Sequence, residues 1–373
     1  MTNQFWQAYL FGWIFWVSLS LGCTGLLFLF HAVRGSWGLP ILRVLEAGTK
    51  LLPWMGLLFV PIVMNVLMGG DLYPWVHRGS DPILAKKAFW LNPGFFAGRQ
   101  IFYFLIWSIW ATLLTRSAKS QDRDGDLNRQ QFRSSFGAWG MVMFILSATL
   151  AYTDWVMSLD PHWFSTIFGA WFIMGNSLTA FSFCTIFVAS RSLKNKQPWA
   201  GANTFSFRKD MGNLMLTLCM IWAYFSLSQF LIIWSGNLPE EITYFTRRFN
   251  DPMLLTIGTL LIFCQWMIPL LCLFAPRTKR QTHLLLKVAT WIMFVRFFDI
   301  FWAVVPFFMV PAHDKANPMR MILEPGFAIS CGVATLIFGA VWGIIFGILY
   351  KSENALPTFD PRLQDLMEAD VHV

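Results

Sequence analysis

The sequence contains few charged residues. Only 13% of its 373 residues are Asp, Glu, Lys or Arg, whereas a soluble domain carries roughly 25%. Apolar residues make up 56%, and the 38 Phe and 20 Trp residues outnumber the 28 basic and 20 acidic ones. Such a chain cannot cover its surface with polar side chains, which excludes an ordinary soluble domain. The composition predicts an all-α polytopic membrane helix bundle, because helices are the usual way to satisfy the backbone in lipid.

Sequence motifs for redox centres and hydrolytic sites are also missing. None of the six cysteines forms C-x-x-C or C-x-x-C-H, which argues against an iron–sulfur cluster or an attached c-type haem. No histidine lies in the middle of an apolar run, so a bis-His b-type haem is not expected. The sequence has no Walker A loop, nucleophile elbow or H-E-x-x-H motif. We therefore predict no catalytic residues, no metal ligands and no cofactor bound by this chain.

The beginning of the chain and its basic residues exclude two further classes. The first residues have no basic n-region and no A-x-A cleavage site, so no removable signal peptide is visible. The net charge of +8 arises from short loops between apolar runs, and not from a basic stretch interleaved with exposed aromatics. Nucleic acid is therefore not an expected partner, and lipids are.

Nine apolar runs are long enough to cross a bilayer, which takes about 20 residues. They form one transmembrane domain over 1–350, followed by a tail over 351–373. We predict helices to begin at Asp160-Pro161 and Asp251-Pro252, where an N-cap carboxylate precedes a proline. The predicted spans are 5–33, 41–68, 99–115, 134–158, 162–190, 211–234, 252–275, 284–309 and 327–350.

The basic residues are distributed unevenly between the two sides of the predicted bundle. The loops after spans 1, 3, 5 and 7 and the tail contain 19 Lys and Arg residues, and the other side contains 8. We call the first of these the basic side, and the positive-inside rule places it, with the C-terminus, in the cytoplasm. Nine spans then place Met1 on the opposite side. Either the N-terminus is exported, or a further helix precedes Met1.

Charged residues inside a span are candidates for function, because each costs roughly 2.5–3.5 kcal/mol at the helix centre. Arg296 and Asp299 lie in the middle of span 8, at i and i+3 on one helix face. They form either a structural ion pair or a station in a proton path. A polar lining for a headgroup is a variant of the functional interpretation.

Two other groups of polar residues lie nearer the ends of the spans. Glu46 and Lys50, at i and i+4, can form an interfacial pair on the basic side, with His31 nearby. Asp154, His162 and Glu240 lie toward the opposite side. Each group also has a structural interpretation, as a snorkelling pair, a hydrogen-bonded His or interhelical contacts. The candidates for a proton path are thus His31, Glu46, Lys50, Asp154, His162, Glu240, Arg296 and Asp299.

Four segments resemble one family along essentially the whole chain. They are HAVRGSWGLPILRVLEAGTKLLPW from His31, DWVMSLDPHWFSTIFG from Asp154, WAYFSLSQFLIIWSGNLPEEI from Trp222 and RFFDIFW from Arg296. Together they resemble the NrfD-like (polysulfide-reductase-type) membrane subunits. Within that family they are most similar to the smaller, ActF-type subunits of bacterial alternative complex III, a quinol:electron acceptor oxidoreductase.

The resemblance implies ten helices, in two four-helix bundles with one flanking helix at each end. The nine predicted spans would then be the second to the tenth. It also implies a multi-pass protein of the bacterial inner membrane. Its expected partners are a larger NrfD-like subunit and periplasmic subunits that carry iron–sulfur clusters and haem c. Quinol would be oxidised in the larger subunit, and cytochrome c would be the electron acceptor.

On this interpretation the chain is a subunit without its own redox centre, which has a structural role and provides a possible proton conduit. The segments 69–98 and 235–251 should lie on the periplasmic side and meet the extrinsic subunits. Two alternatives stay open. One is a quinone site within this chain, with His31, Glu46 or Asp154 accepting protons. The other is a freestanding secondary transporter, which would need broken helices around a substrate pocket.

Overall fold

The computed structural model describes residues 2–77, 79–311, 321–323, 326–351, 355–357, 360 and 362–363. The first half of the chain is helical throughout its spans. Its elements are α1 (Thr2–Val33), a 3₁₀ turn (Ser36–Ile41), α2 (Leu42–Thr49), α3 (Leu52–Leu67), a 3₁₀ turn (Pro74–Val76), α4 (Pro82–Lys86), α5 (Pro93–Asp124), α6 (Asn128–Trp155), a 3₁₀ turn (Met157–Leu159) and α7 (Phe168–Ser192).

The second half adds the remaining helices and a two-residue antiparallel strand pair, in which Val310 lies opposite Ile322. Its elements are α8 (Trp199–Ala202), α9 (Phe205–Gly236), α10 (Pro239–Phe249), α11 (Pro252–Leu261), a π-helical segment (Ile262–Met267), α12 (Ile268–Phe274), α13 (Pro276–Arg280), α14 (Thr282–Val304), a 3₁₀ turn (Val305–Phe308), β1 (Val310–Pro311), β2 (Met321–Ile322) and α15 (Phe327–Lys351).

The described part of the chain has nine helical stretches that are long and apolar enough to cross a membrane. The prediction of an all-α polytopic bundle is therefore confirmed. The stretches are Asn3–Val33, Ser36–Leu67, Pro93–Asp124, Asn128–Leu159, Phe168–Ser192, Phe205–Gly236, Pro252–Phe274, Thr282–Phe308 and Phe327–Lys351.

Two of these spans are interrupted in their interior, and a proline lies close to each interruption. Span 2 is interrupted at Lys50 and Leu51, between α2 and α3, and Pro53 occupies the first turn of α3, where it cannot donate a backbone hydrogen bond. Span 7 contains the π-helical segment Ile262–Met267. Pro269 follows it and has no N–H to donate to the carbonyl of Gln265, which favours the wider turn.

One of the two predicted helix starts is confirmed and the other is wrong. The carboxylate of Asp251 accepts a hydrogen bond from the backbone N–H of Leu254 at 2.9 Å and caps α11. Asp160 does not begin a helix, because α7 starts only at Phe168. Its carboxylate instead accepts from the guanidinium of Arg247 at 3.0 Å, which ties the turn after α6 to α10.

Helices α1 and α7 lie at the centre of the bundle. The most apolar windows of spans 1 and 5 are 89% and 83% buried, against 22–39% for spans 2, 3, 4, 6, 7 and 9. Since the outer helices keep broad exposed faces of Leu, Ile, Phe and Met, lipid or other apolar chains must cover them in a membrane.

Candidate functional site

A charged pair lies at the centre of the bundle, where it was predicted. The Arg296 guanidinium contacts the carboxylate of Asp299, and both side chains are only 2% exposed. Arg296 Nε also donates to Thr179 Oγ1 of α7 at 3.1 Å. The indole N–H of Trp222 on α9 donates to Asp299 Oδ2 at 3.1 Å. The pair thus connects α14 to α7 and α9.

The packing around this pair leaves little free space. Gly175 lies against the guanidinium, and a Cβ atom at that position would come within 2.4 Å of Arg296 Nη2. The void beside Asp299 has a volume of about 0 Å³, so it cannot hold a water molecule. Asp299 Oδ1 nevertheless has no hydrogen-bond partner among the described residues. The arrangement can hold a charge pair, with one carboxylate oxygen left open to a proton but without room for a water molecule.

A second hydrogen-bonded group, which the sequence did not predict, lies near the central pair. The hydroxyl of Tyr152 on α6 accepts a hydrogen bond from Asn176 Nδ2 at 2.7 Å and shares one with Ser18 Oγ at 2.9 Å. These residues join α6, α7 and α1. Asn176 directly follows Gly175, which lies against the Arg296 guanidinium. Polar groups on five helices therefore surround the middle of the bundle.

Asp154 forms the most fully hydrogen-bonded cluster on the side opposite the basic one. Its two carboxylate oxygens each accept from the guanidinium of Arg99 at 2.8 Å. Three neutral donors add hydrogen bonds: Trp90 at 3.0 Å, Tyr103 at 3.0 Å and Gln100 at 3.4 Å. The Arg99 guanidinium in turn lies 4.1 Å from the Trp90 ring centroid. Arg99 was not predicted as an intramembrane cation, because the predicted span began at Arg99 whereas α5 begins at Pro93.

The other two candidates on this side do not join Asp154. His162 lies near the surface, with its Nε2 2.8 Å from a carboxylate oxygen of Asp81. Hydrogen bonds from the backbone N–H groups of Ile83 and Leu84, followed by the neighbouring His162, lower the pKa of Asp81. Glu240 is exposed in the first turn of α10. Asp154, His162 and Glu240, which were predicted as one group, therefore lie at three separate sites.

On the basic side, Glu46 is buried but pairs with a residue other than the predicted one. Its Oε2 accepts from Arg43 Nη1 at 2.6 Å, three residues earlier on α2. The same guanidinium contacts the carboxylate of Asp122 on α5. Lys50 is partly exposed just after the end of α2, and its backbone N–H donates to the Glu46 carbonyl. The geometry therefore replaces the predicted Glu46–Lys50 pair by a three-residue cluster around Arg43.

His31 lies beside this cluster and lines a small cavity. The cavity measures about 10 Å³, close to the minimum for one water molecule. His31 Nε2 is buried and has no hydrogen-bond partner among the described residues. Part of the predicted tail closes the cavity, since Asp360 and Arg362 lie in its wall and Arg362 donates to the Arg34 carbonyl at 2.6 Å. The remaining lining residues are Phe30, Leu42, Arg43, Ala118, Gln121, Asp122, Arg133 and Pro357.

A buried arginine without a carboxylate partner among the described residues holds α10 against α14. Arg248 donates to the carbonyls of Tyr244, Ala303 and Trp302 at 2.6, 2.8 and 3.1 Å. Burial lowers the pKa of Arg248 to about 10, so the guanidinium stays protonated at neutral pH. Because the last carbonyls of a helix carry partial negative charge, this cation stabilises the end of α14. Its role is structural.

Comparison of the chain with protein-family models gives no match. Comparison with curated proteins gives no match either. The resemblance of the four segments to the NrfD-like subunits accordingly stays a prediction from sequence.

Proposed function

We propose that this multi-pass membrane protein is an integral subunit of a quinol-oxidising complex of the alternative complex III type. In this proposal it resides in the bacterial inner membrane with its C-terminus in the cytoplasm. It would carry no redox centre. The larger homologous subunit would oxidise quinol, and partner subunits would hold the iron–sulfur clusters and haem c. The resemblance of four segments, together with the nine-span bundle, supports this assignment.

One structural observation favours a subunit without a quinone site over the quinone-binding alternative. The spaces beside the buried titratable groups measure about 10 Å³ at His31 and about 0 Å³ at Asp299. Ligand pockets for ring-sized molecules usually measure about 300–1,000 Å³. Asp154, the third proton acceptor considered, already accepts five hydrogen bonds. The geometry suits protons and single waters better than a quinone ring.

The interrupted helix of span 7 is the feature that favours the transporter alternative. Transporters place their substrate at the bilayer midplane between broken helices. Here the midplane charges of Arg296 and Asp299 contact each other and protein donors, so a substrate would first have to separate them. We therefore keep the subunit proposal.

Purification tests the assignment directly. Affinity purification of the tagged chain from native membranes should recover partner subunits with the absorbance of c-type haem and the paramagnetic signals of reduced iron–sulfur clusters. A photoreactive quinone analogue should label the larger homologous subunit. Recovery of the chain alone would contradict membership of the complex. Saturable, competable labelling of this chain would instead favour the quinone-binding alternative.

The proposed topology makes a separate prediction. In sealed right-side-out vesicles, added protease should cleave within the segments 69–98 and 235–251. It should leave the connection between α5 and α6, near Gly125, intact until the vesicles are opened, because that turn lies on the basic side. Mass spectrometry of the fragments gives the cleavage positions. The reverse pattern of protection would show that the orientation is wrong.

The proton conduit part of the proposal depends on Asp299. We expect Asp299→Asn alone to destabilise the protein, since it leaves Arg296 buried without its carboxylate, at a typical cost of about 3–5 kcal/mol. The double variant Arg296→Gln/Asp299→Asn removes both charges and should be more stable than the single one. In reconstituted complex it should keep quinol oxidation but translocate fewer protons per electron, because no carboxylate is left to relay them.

Glu46→Gln provides the comparison for this experiment. It should lower the proton stoichiometry in the same direction but less, because Arg43 retains Asp122 as a partner and the site keeps a carboxylate. Wild-type proton stoichiometry in a well-assembled double variant would remove Asp299 from the path. The ion pair would then be purely structural.

A further inference from the structure

Three hydrogen-bond donors converge at the basic end of the bundle. Arg191 lies in the last turn of α7, Trp199 begins α8 and Tyr350 lies in the last turn of α15. The Arg191 Cζ atom is 5.9 Å from the ring centroid of Trp199 and 5.9 Å from that of Tyr350. The two aromatic rings are themselves 6.4 Å apart. The three side chains therefore lie close together where α7, α8 and α15 meet.

Two of these donors have no acceptor among the described residues. The indole N–H of Trp199 and the hydroxyl of Tyr350 are buried and make no hydrogen bond there, and the Trp199 side chain is only 8% exposed. Arg191 lies over the Phe187 ring, 3.3 Å from its centroid, and donates to the Phe187 carbonyl at 3.4 Å. In the described part of the chain it pairs with no carboxylate. Buried donors without an acceptor cost free energy, so an acceptor from outside the protein would bind favourably here.

The charge around this region favours an anion. Between Asp160 and Asp210 the sequence contains no acidic residue. The same stretch contains Lys194 and Lys196, close to Arg191 and Trp199 in sequence. Lys351 follows Tyr350 directly, and the next acidic residue, Glu353, lies outside the described residues. Lys194 and Lys351 are exposed. An anionic ligand would meet an excess of positive charge.

The surrounding surface favours a lipid as the source of that anion. The region lies at the ends of spans 5 and 9, where phosphate groups of a bilayer are found, and Trp and Tyr are enriched at this level. We propose that Arg191, Trp199 and Tyr350 bind the phosphodiester group of an anionic phospholipid whose acyl chains extend into the surrounding bilayer.

This proposal does not depend on the proposed respiratory function. It concerns binding by the folded chain, whatever complex the chain belongs to. Its experiments measure lipid binding and thermal stability, and not electron or proton transfer. Failure of one proposal therefore leaves the other standing.

The variant Tyr350→Phe tests the proposal because its effect on the melting temperature should differ with and without lipid. It removes only the hydroxyl and keeps the ring, which stacks on Phe346 at 5.8 Å. In delipidated protein the change should leave the melting temperature equal or higher, because the buried hydroxyl lacks an acceptor there. With phosphatidylglycerol added, wild type should be stabilised more than the variant. If Tyr350→Phe lowers the melting temperature equally with and without lipid, the acceptor belongs to the protein and the proposal is wrong.

Binding affinity provides the second measurement. Native mass spectrometry of the detergent-solubilised protein, titrated with phosphatidylglycerol, should give about tenfold weaker binding for Trp199→Phe/Tyr350→Phe, since two neutral hydrogen bonds are lost. Arg191→Gln should abolish the preference for phosphatidylglycerol over phosphatidylcholine. Tyr224→Phe is the matched control, because Tyr224 is 65% exposed on the outer face of α9, and it should bind like wild type.

Inorganic phosphate distinguishes a lipid from a free anion. Millimolar phosphate should neither stabilise the delipidated wild-type protein nor displace phosphatidylglycerol, because it has no acyl chains to add apolar contacts. Stabilisation by phosphate alone that disappears in Arg191→Gln would overturn the lipid proposal in favour of a free-anion site. Unchanged phosphatidylglycerol affinity in the folded double variant Trp199→Phe/Tyr350→Phe would overturn it as well.

Discussion

Asp154→Ala is expected to prevent the protein from accumulating in folded form. The substitution leaves the buried guanidinium of Arg99 without its carboxylate, and it removes the acceptor of Trp90 and Tyr103. Gln100 loses one of its two acceptors and keeps the Phe96 carbonyl. Breaking a buried ion pair from one side costs about 3–5 kcal/mol, which is a large fraction of the stability of a typical domain. Fluorescence-detected size exclusion of a tagged protein in detergent, followed by thermal unfolding, measures the loss.

Two variants make this result interpretable. Asp154→Asn keeps an acceptor for the neutral donors but removes the charge, so it should fall between wild type and Asp154→Ala. Asp124→Ala removes the carboxylate of an exposed ion pair with Arg129 and should change little, because solvent screens such pairs. If Asp154→Ala unfolds at the same temperature as Asp124→Ala, the Arg99–Asp154 cluster does not stabilise the fold.

Gly22→Ala is expected to disrupt the contact between the two central helices. A Cβ atom on Gly22 of α1 would lie 2.0 Å from the backbone carbonyl oxygen of Asn176 and 2.8 Å from the Cβ of Ala180 on α7. A backbone atom cannot rotate away, so α1 and α7 must separate. Overpacking typically costs about 1–3 kcal/mol. Separation would also weaken the hydrogen bonds among Ser18, Tyr152 and Asn176, so we expect a loss at the upper end of that range.

Gly343→Ala is the matched control. Gly343 lies in the middle of α15, and a Cβ atom there would have no neighbour within 4 Å. Alanine at this position should be neutral or slightly stabilising, since glycine inside a helix costs about 0.5–1 kcal/mol. Equal melting temperatures for Gly22→Ala and Gly343→Ala would contradict the close approach of α1 and α7. A Gly22→Ala loss that is absent from Gly343→Ala supports it.

The candidate site illustrates which ion pairs sequence spacing can predict. Arg296 and Asp299 are three residues apart on one helix, so the helical repeat alone brings them together. The same rule predicted Lys50 as the partner of Glu46. Arg43, three residues before Glu46, is buried together with Glu46 and is its actual partner. Helix spacing gives both neighbours as possible partners. Burial decides between them, because the pair in the low-dielectric interior attracts more strongly.

Pairs between different helices could not be predicted in this way. Asp154 and Arg99 are separated by 55 residues, and their meeting depends on how α5 packs against α6. A predicted span that began at Arg99 left this arginine at a membrane surface. Recognising it as an intramembrane cation needs the longer helix that begins at Pro93.

The sequence by itself determined the class of this protein, the nine apolar spans found in its described part and the charged pair in span 8. These follow from composition, from the length of apolar runs and from the 3.6-residue repeat, which are local properties. The tertiary structure alone decided that α1 and α7 form the centre, that Arg99 neutralises Asp154, and that Arg191, Trp199 and Tyr350 converge. The lipid-facing and the helix-facing sides of a membrane helix are both apolar, so hydrophobicity cannot tell which side packs against another helix. Close contacts at small residues and buried hydrogen bonds choose the arrangement, and these connect residues that are distant in sequence.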